Sequence, residues 1–322
     1  MRTRTGLGVA AVCSCAALFA AVGVGRGSGD DAASALSGHP KASLFAPPKG
    51  PYVALGDSYT AGPEIPDQHG KPAGCDRSDR NYPALVADGL GLNAHEFRDV
   101  SCNGATMGDL FASQSTDNGV NPAQLSAVSA ATRLVTLGIG GNDIGFSSLI
   151  TTCVKAGVRY QLENRIGDPA ADDAPCRGLH SAAGGDRIEA KTEAAGRRLA
   201  GVLRDIKRRA PDARVYVVGY PAILPVKGEG CARAMGLAPG DVSFLRHKEQ
   251  QLNSMLRDKA EAAGAVYVDT YTPSIGRSAC ADRDVRWVEP LMPSAPAAPV
   301  HPNERGERGM AQAVLRTVRS AG

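Results

Sequence analysis

Four runs of apolar residues, rich in β-branched side chains, punctuate the chain at Tyr52–Leu55, Leu134–Ile139, Val215–Val218 and Val266–Val268. Each is bounded by Gly, Pro or Asp, the usual punctuation of a strand. A fifth, weaker run spans Glu96–Val100. None alternates strictly between apolar and polar positions, and continuous apolar runs of this length belong to strands covered on both faces, as in a parallel sheet between helices. Between the runs, apolar residues recur at spacings of three and four over Tyr82–Leu90, Ile188–Arg209, Phe244–Ala263 and Arg305–Val318, which predicts helices. Strand and helix alternate, so the pattern predicts an α/β domain: a three-layer α/β/α sandwich around a five-stranded parallel sheet with right-handed crossovers. Reactive groups in such a sheet sit in loops beyond the carboxyl ends of the strands, so chemistry is expected just after each apolar run. Residues 145–185, which contain Cys153 and Cys176, read as a long excursion from this pattern.

Composition narrows the class. The 322 residues suffice for one substantial domain, and 43% hydrophobic against 21% charged residues, with 38 glycines and 21 prolines, describe a loop-rich globular chain. A net charge of +3 without a basic stripe argues against a nucleic-acid partner. The N-terminus is a basic Met1–Thr5 followed by an apolar stretch from Gly6 to about Val24 and a small-residue Ala33–Ser34–Ala35, which predicts a secretory signal peptide over residues 1–35. An uncleaved membrane anchor is the rival reading, weakened by the absence of a basic stop-transfer cluster. Residues 36–50 are Pro- and Gly-bearing and read as a linker, and the domain is expected over 51–322. Six cysteines follow the signal, an even number in a chain bound for an oxidising compartment. Pairing neighbours in order gives loops of moderate length, Cys75–Cys102, Cys153–Cys176 and Cys231–Cys280, each adding about 2–4 kcal/mol. No CxxC pair or helical His pair supports a metal site.

The first apolar run leads directly into Gly56–Asp57–Ser58–Tyr59–Thr60–Ala61–Gly62. A serine at the end of a buried strand can project its hydroxyl into a crevice and act as a nucleophile, although Asp57 and Ser58 are equally good helix-capping residues. After the next run comes Ser101–Cys102–Asn103–Gly104–Ala105–Thr106, where Gly104 allows close backbone approach and can offer its N–H to an oxyanion, or can simply make a turn. After the third comes Gly138–Ile139–Gly140–Gly141–Asn142–Asp143, where the Asn142 amide can aim at the same point, and where turn chemistry is again the plain alternative. A base must come from six histidines, and His301 stands at a defined junction: Pro302 biases it to extended backbone and Asn303 can cap the last helix. A solvent-exposed histidine is the bland reading of that position.

These GDSYTAG, SCNGAT, GGND and HPN segments, in this order, resemble the four blocks of the SGNH/GDSL hydrolase family, and within it the secreted actinobacterial, Streptomyces-type, lipases and esterases. The resemblance runs from about Pro51 to the C-terminus and implies the flavodoxin-like SGNH hydrolase fold. By motif position it implies Ser58 as nucleophile, His301 as general base, and Ser58 N–H, Gly104 N–H and the Asn142 amide as oxyanion hole. It implies a secreted esterase or lipase acting on lipid or short-chain acyl esters, working without metal or organic cofactor, as a monomer with transient lipid-interface contact. Two alternatives are a carbohydrate acetylesterase on the same fold and a non-catalytic secreted binding module. Sparse aromatics, 5% with Trp287 the lone tryptophan, disfavour a sugar-stacking platform.

One departure is notable. Most of the family carries an Asp three residues before the histidine, and here that position is Ala298. Pro290, Pro293, Pro296, Pro299 and Pro302 recur every third residue, the period of a polyproline II helix, whose carbonyls are unpaired. A main-chain carbonyl near Ala297–Pro299 is therefore expected to accept the imidazole Nδ1–H, with Asp282, Asp284 and Glu289 as competing carboxylates.

Overall fold

In a strand, neighbouring side chains face opposite sides. Here that alternation divides the core in two. Tyr52 and Ala54 pack with Leu134, Tyr216 and Val218 on one face of the sheet, and Val53 and Leu55 pack with Val135, Leu137 and Val217 on the other. The computed structural model describes residues 50–165, 172–181, 186–226 and 230–320. The expected signal peptide (1–35) and, apart from Gly50, the linker (36–50) lie outside the described residues.

Five strands, β1 (Tyr52–Gly56), β2 (Phe97–Asp99), β3 (Leu134–Gly138), β4 (Arg214–Val218) and β5 (Val266–Val268), form one sheet in the order β2-β1-β3-β4-β5. Every pairing in it is parallel. This is the doubly wound order with its reversal at β1 and β3, where a crevice opens beyond the strand ends. The expected three-layer α/β/α architecture is the one found. Helix α2 (Tyr82–Gly89) and helix α10 (Glu304–Ser320) cover the Tyr52 face. Helices α6 (Arg187–Arg209) and α8 (Pro239–Ala262) cover the Leu55 face, with α4 (Phe146–Arg165) beside them. Ile188, Thr192, Ala195, Leu199, Val202 and Ile206 make the buried stripe of α6, at the spacing that marks a helix lying flat on a sheet. Asp186 caps its start by accepting the N–H groups of Ile188 and Glu189.

Two helical stretches depart from the sequence reading. Helix α8 begins five residues before Phe244, at Pro239, where a missing N–H costs nothing in the first turn. Much of the supposed excursion over 145–185 is helical: α4 and α5 (Pro175–Ser181) are joined by Cys153–Cys176, and the Asp241 carboxylate at the start of α8 accepts Cys176 N–H at 3.0 Å and Arg177 N–H at 2.9 Å. Phe146, Leu149, Ile150 and Cys153 bury one face of α4, a helical stripe short enough to be hidden by its polar neighbours. Among the described residues the other disulfides are Cys75–Cys102 and Cys231–Cys280, the latter starting in the short helix α7 (Cys231–Met235), and a further short helix, α9 (Tyr271–Ser274), follows β5.

At the end of β1 the chain is held at both sides. The Gln124 side chain accepts Gly56 N–H at 2.8 Å and donates to Gly56 O at 2.9 Å. A Cβ on Gly56 would lie 2.5 Å from Gly138 O and overlap Thr60 Oγ1, so only glycine permits β1 and β3 to approach so closely at the crevice. Gly56→Ala is therefore expected to lower unfolding free energy by about 1–3 kcal/mol, measured by urea denaturation.

Candidate active site

Ser58 opens a single-turn helix, α1 (Ser58–Ala61), immediately beyond β1. Asp57 caps it, one carboxylate oxygen accepting Tyr59 N–H at 3.0 Å. Capping and presentation of the hydroxyl are thus the same arrangement. Ser58 is 6% exposed, and among the described residues no hydrogen bond occupies its N–H.

His301 reaches it from the far end of the chain. His301 Nε2 lies 2.8 Å from Ser58 Oγ, and His301 Nδ1 lies 2.8 Å from Pro299 O. A carbonyl oxygen can only accept, so Nδ1 carries the proton and Nε2 presents its lone pair to the serine hydroxyl. The half-buried ring has its pKa lowered from the ordinary 6.5 by burial, against the Pro299 carbonyl, which raises it. Among the described residues no carboxylate is hydrogen-bonded to this imidazole. Asp282 and Asp284 are exposed.

Glu289, the third competing carboxylate, is fully buried and organises the loop that carries the histidine. Its carboxylate accepts Ser294 N–H at 2.9 Å, Ala295 N–H at 3.3 Å and the Asn303 amide at 2.7 Å, beside Arg286 Nε at 3.5 Å. Burial pushes its pKa up, but the Ser294 N–H, the Asn303 amide and Arg286 together hold it below the usual glutamate value. Its main chain takes part too: Glu289 N–H donates to His301 O, and Glu289 O accepts Val300 N–H. The proline run therefore does not extend as a straight polyproline II helix. It bends over Ser294–Ala297 where Glu289 gathers the amides. Val300, next to the histidine, has φ 62°, a conformation that a β-branched residue adopts only under constraint. Tyr59 Oη supplies one, donating to Val300 O at 2.5 Å while its ring lies 4.9 Å from the imidazole. Asn303 completes the junction by accepting Gly306 N–H at the start of α10.

Asn142 lies in the single-turn helix α3 (Gly141–Ile144) beyond β3 and lines the cavity with Ser58 and His301. One of its amide hydrogens is donated to Ala105 O at 2.9 Å, which ties it to the turn holding Gly104. Gly104 has φ 74°, the left-handed conformation natural to glycine, and among the described residues no hydrogen bond occupies its N–H. It does not line the cavity itself.

Sequence reasoning missed Tyr220. Its hydroxyl donates to Asp57 Oδ2 at 2.5 Å and accepts Gly141 N–H at 2.8 Å, joining the turn of Ser58 to the turn of Asn142. The signal was available, because Gly219–Tyr220 directly follows β4 at the same rim. Burial raises the Asp57 pKa to about 7, opposed by the bonds from Tyr220 and Tyr59 N–H. The cavity in front of Ser58, about 250 Å3, has apolar walls from Phe146, Ile150, Ile223, Leu252 and Leu291.

A family model described as GDSL-like Lipase/Acylhydrolase matches residues 54–308. Lipase 2 of Streptomyces coelicolor is 41% identical over 243 residues, 75% of this chain and 76% of its own. Among solved structures, phospholipase A1 from Streptomyces albidoflavus superposes with TM-score 0.66 at 27% identity, covering 85% of this chain and 100% of that one. An extracellular lipase from Streptomyces rimosus gives TM-score 0.64 at 27% identity, covering 84% and 99%.

Tyr220→Phe removes the hydroxyl bridge while keeping the ring. It is expected to raise the Asp57 pKa further above about 7, read by carboxyl NMR titration. It is also expected to destabilise the fold by about 1–3 kcal/mol through the unpaired Gly141 N–H, read by urea unfolding.

Proposed function

Because the chain belongs to the GDSL-like lipase/acylhydrolase family and is a carboxylic ester hydrolase, we propose that it works as a Ser58–His301 dyad, with the Pro299 carbonyl in place of an acidic third member. The observation that carries this reading is the pair of 2.8 Å contacts on one imidazole, Nε2 to Ser58 Oγ and Nδ1 to Pro299 O. A carbonyl fixes the tautomer as a carboxylate would, without adding a charge to the cavity wall.

As Ser58 Oγ attacks the ester carbonyl carbon, His301 Nε2 takes its proton and a tetrahedral oxyanion forms. The N–H groups of Ser58 and Gly104 and the free amide hydrogen of Asn142 are the donors assigned to that oxyanion. The intermediate collapses as the C–O bond to the alcohol breaks, and the imidazolium returns its proton to the leaving oxygen. Water, deprotonated by His301, then attacks the acyl-enzyme, and the acid departs with Ser58 reprotonated. The free N–H groups of Ser58 and Gly104, and the Asn142–Ala105 tether, support the oxyanion assignment.

The apolar cavity supports acyl esters of lipid or short-chain type as substrates, in keeping with relatives named lipase and phospholipase A1. Three disulfides fit an oxidising compartment, and a relative described as extracellular supports secretion.

A fluorophosphonate probe is expected to label Ser58 in the wild type and leave Ser58→Ala unlabelled. With nitrophenyl esters Ser58→Ala should lose at least about 10,000-fold in turnover. Unchanged hydrolysis would defeat the dyad. Asn142→Ala is expected to lose about 100- to 1,000-fold in kcat, whereas Asp282→Asn and Asp284→Asn should stay near wild type, since neither carboxylate meets the ring. The base must be neutral to accept a proton, and burial lowers the His301 pKa, so activity should persist below pH 6.5 and fall as pH drops through that lowered value. The same acid limb is expected in Asp57→Asn, which separates it from the carboxyl held at about 7.

A further inference from the structure

The apolar stripe of α8 is interrupted once at the cavity. Glu249 stands between Leu245 and Leu252, at spacings of four and three, and is 1% exposed. It lines the same cavity as Ser58 and His301. Its Oε1 accepts Ile223 N–H at 2.9 Å. Its Oε2 is shut off from solvent and, among the described residues, has no hydrogen-bond partner. Among the described residues no Lys, Arg or His makes an ion pair with it. Burial pushes its pKa well above the usual glutamate value, against the Ile223 N–H, the Arg246 charge and the Leu224 N–H.

A carboxylate with one oxygen unpaired in an apolar wall is costly, whereas the neutral carboxyl is cheaper and carries an O–H donor. Holding the Ile223 N–H needs only one oxygen, and the Leu224 N–H, though it faces the carboxyl, makes no hydrogen bond that fixes the second. The neighbouring walls, Phe146, Ile150 and Leu291, suit hydrocarbon; Ser147 and Thr151 also line the cavity, and the Thr151 hydroxyl is already donated to Ser147 O.

The geometry points to Glu249 as the polar recognition group of the acyl pocket: its free O–H donates to an oxygen carried along the acyl chain. The preferred substrates are then esters whose acyl group bears a hydrogen-bond-accepting oxygen, hydroxyl or ether, within an otherwise apolar chain. This rests on the reading of Ser58 as nucleophile, since the acyl chain enters this cavity only when its carbonyl carbon meets Ser58. In an apolar pocket a chain oxygen is a handicap, because it must shed water without replacement. Beside a buried donor the handicap is removed at the position that meets it.

The test uses the full chain and measures kcat/KM for nitrophenyl octanoate and for its analogues with one chain methylene replaced by an ether oxygen at successive positions. Wild type is expected to favour one analogue, hydrolysing it at least as well as octanoate. Glu249→Gln keeps an oxygen for Ile223 N–H and an N–H donor for the ligand, and is expected to keep that preference. Glu249→Leu is expected to lower the ratio of the favoured analogue to octanoate by about 3- to 10-fold, the worth of one hydrogen bond. If the Leu variant does not fold, the wild-type and Gln series decide. Wild type disfavouring every ether analogue, or a ratio unmoved in a folded Leu variant, overturns the subsite while leaving the Ser58 mechanism standing. Failure to hydrolyse octanoate and its analogues alike would instead strike at the Ser58 reading.

Discussion

An imidazole can serve a serine hydroxyl only if its proton is on the remote nitrogen and its ring is kept from turning. In this molecule both demands fall on a loop, residues 286–303, that has no regular secondary structure to stiffen it. The Pro299 carbonyl holds Nδ1, and that carbonyl is where it is because Val300 accepts an unusual backbone conformation. The strain is opposed by Tyr59 from the turn of Ser58 and by the Glu289 main chain. Glu289 in effect supplies the missing order: one buried carboxylate gathers Ser294, Ala295 and Asn303, and through Asn303 it reaches the first turn of α10. A carboxylate that does not touch the histidine is thereby the reason the histidine is held.

The opposite wall of the site is organised by the sheet. Parallel strands of unequal crossover length bring their carboxyl ends to one rim, and short hydrogen bonds then lock the ends together. Gln124 clips Gly56, Tyr220 bridges Asp57 and Gly141, and Asn142 reaches Ala105. The proposed nucleophile and oxyanion donors thus belong to a single network, so that a shift in one turn is transmitted to the others. Preorganised donors of this kind do their work without reorganising during reaction, which is where most electrostatic catalysis originates.

Charge is kept low around the cavity. Burial raises the carboxyls of Asp57 and Glu249 above their usual values and lowers His301, each change favouring the neutral form. A neutral, apolar pocket admits uncharged ester chains and strengthens the few dipoles of the proposed oxyanion site. In such surroundings a main-chain carbonyl opposite the imidazole is a consistent choice, since a buried carboxylate there would need its own partners.

What the sequence determined by itself was written locally. Apolar runs bounded by turn residues located the five strands, spacings of three and four located the main helices, and the rule that reactive groups follow strands singled out Ser58, Gly104 and Asn142. His301 was legible because Pro302 and Asn303 mark a loop-to-helix junction. The tertiary structure alone decided the strand order, the helical nature of much of 145–185, and the partner of each polar atom. Glu289 looked like a carboxylate for the imidazole and instead collects amides. Tyr220 and Glu249 gave only a position after a strand and a charge on an apolar stripe. Periodicity records which face of an element is buried, because burial depends on one residue at a time. Which oxygen meets which nitrogen depends on segments such as 58 and 301, 243 residues apart, and that pairing exists only once the sheet has brought them together.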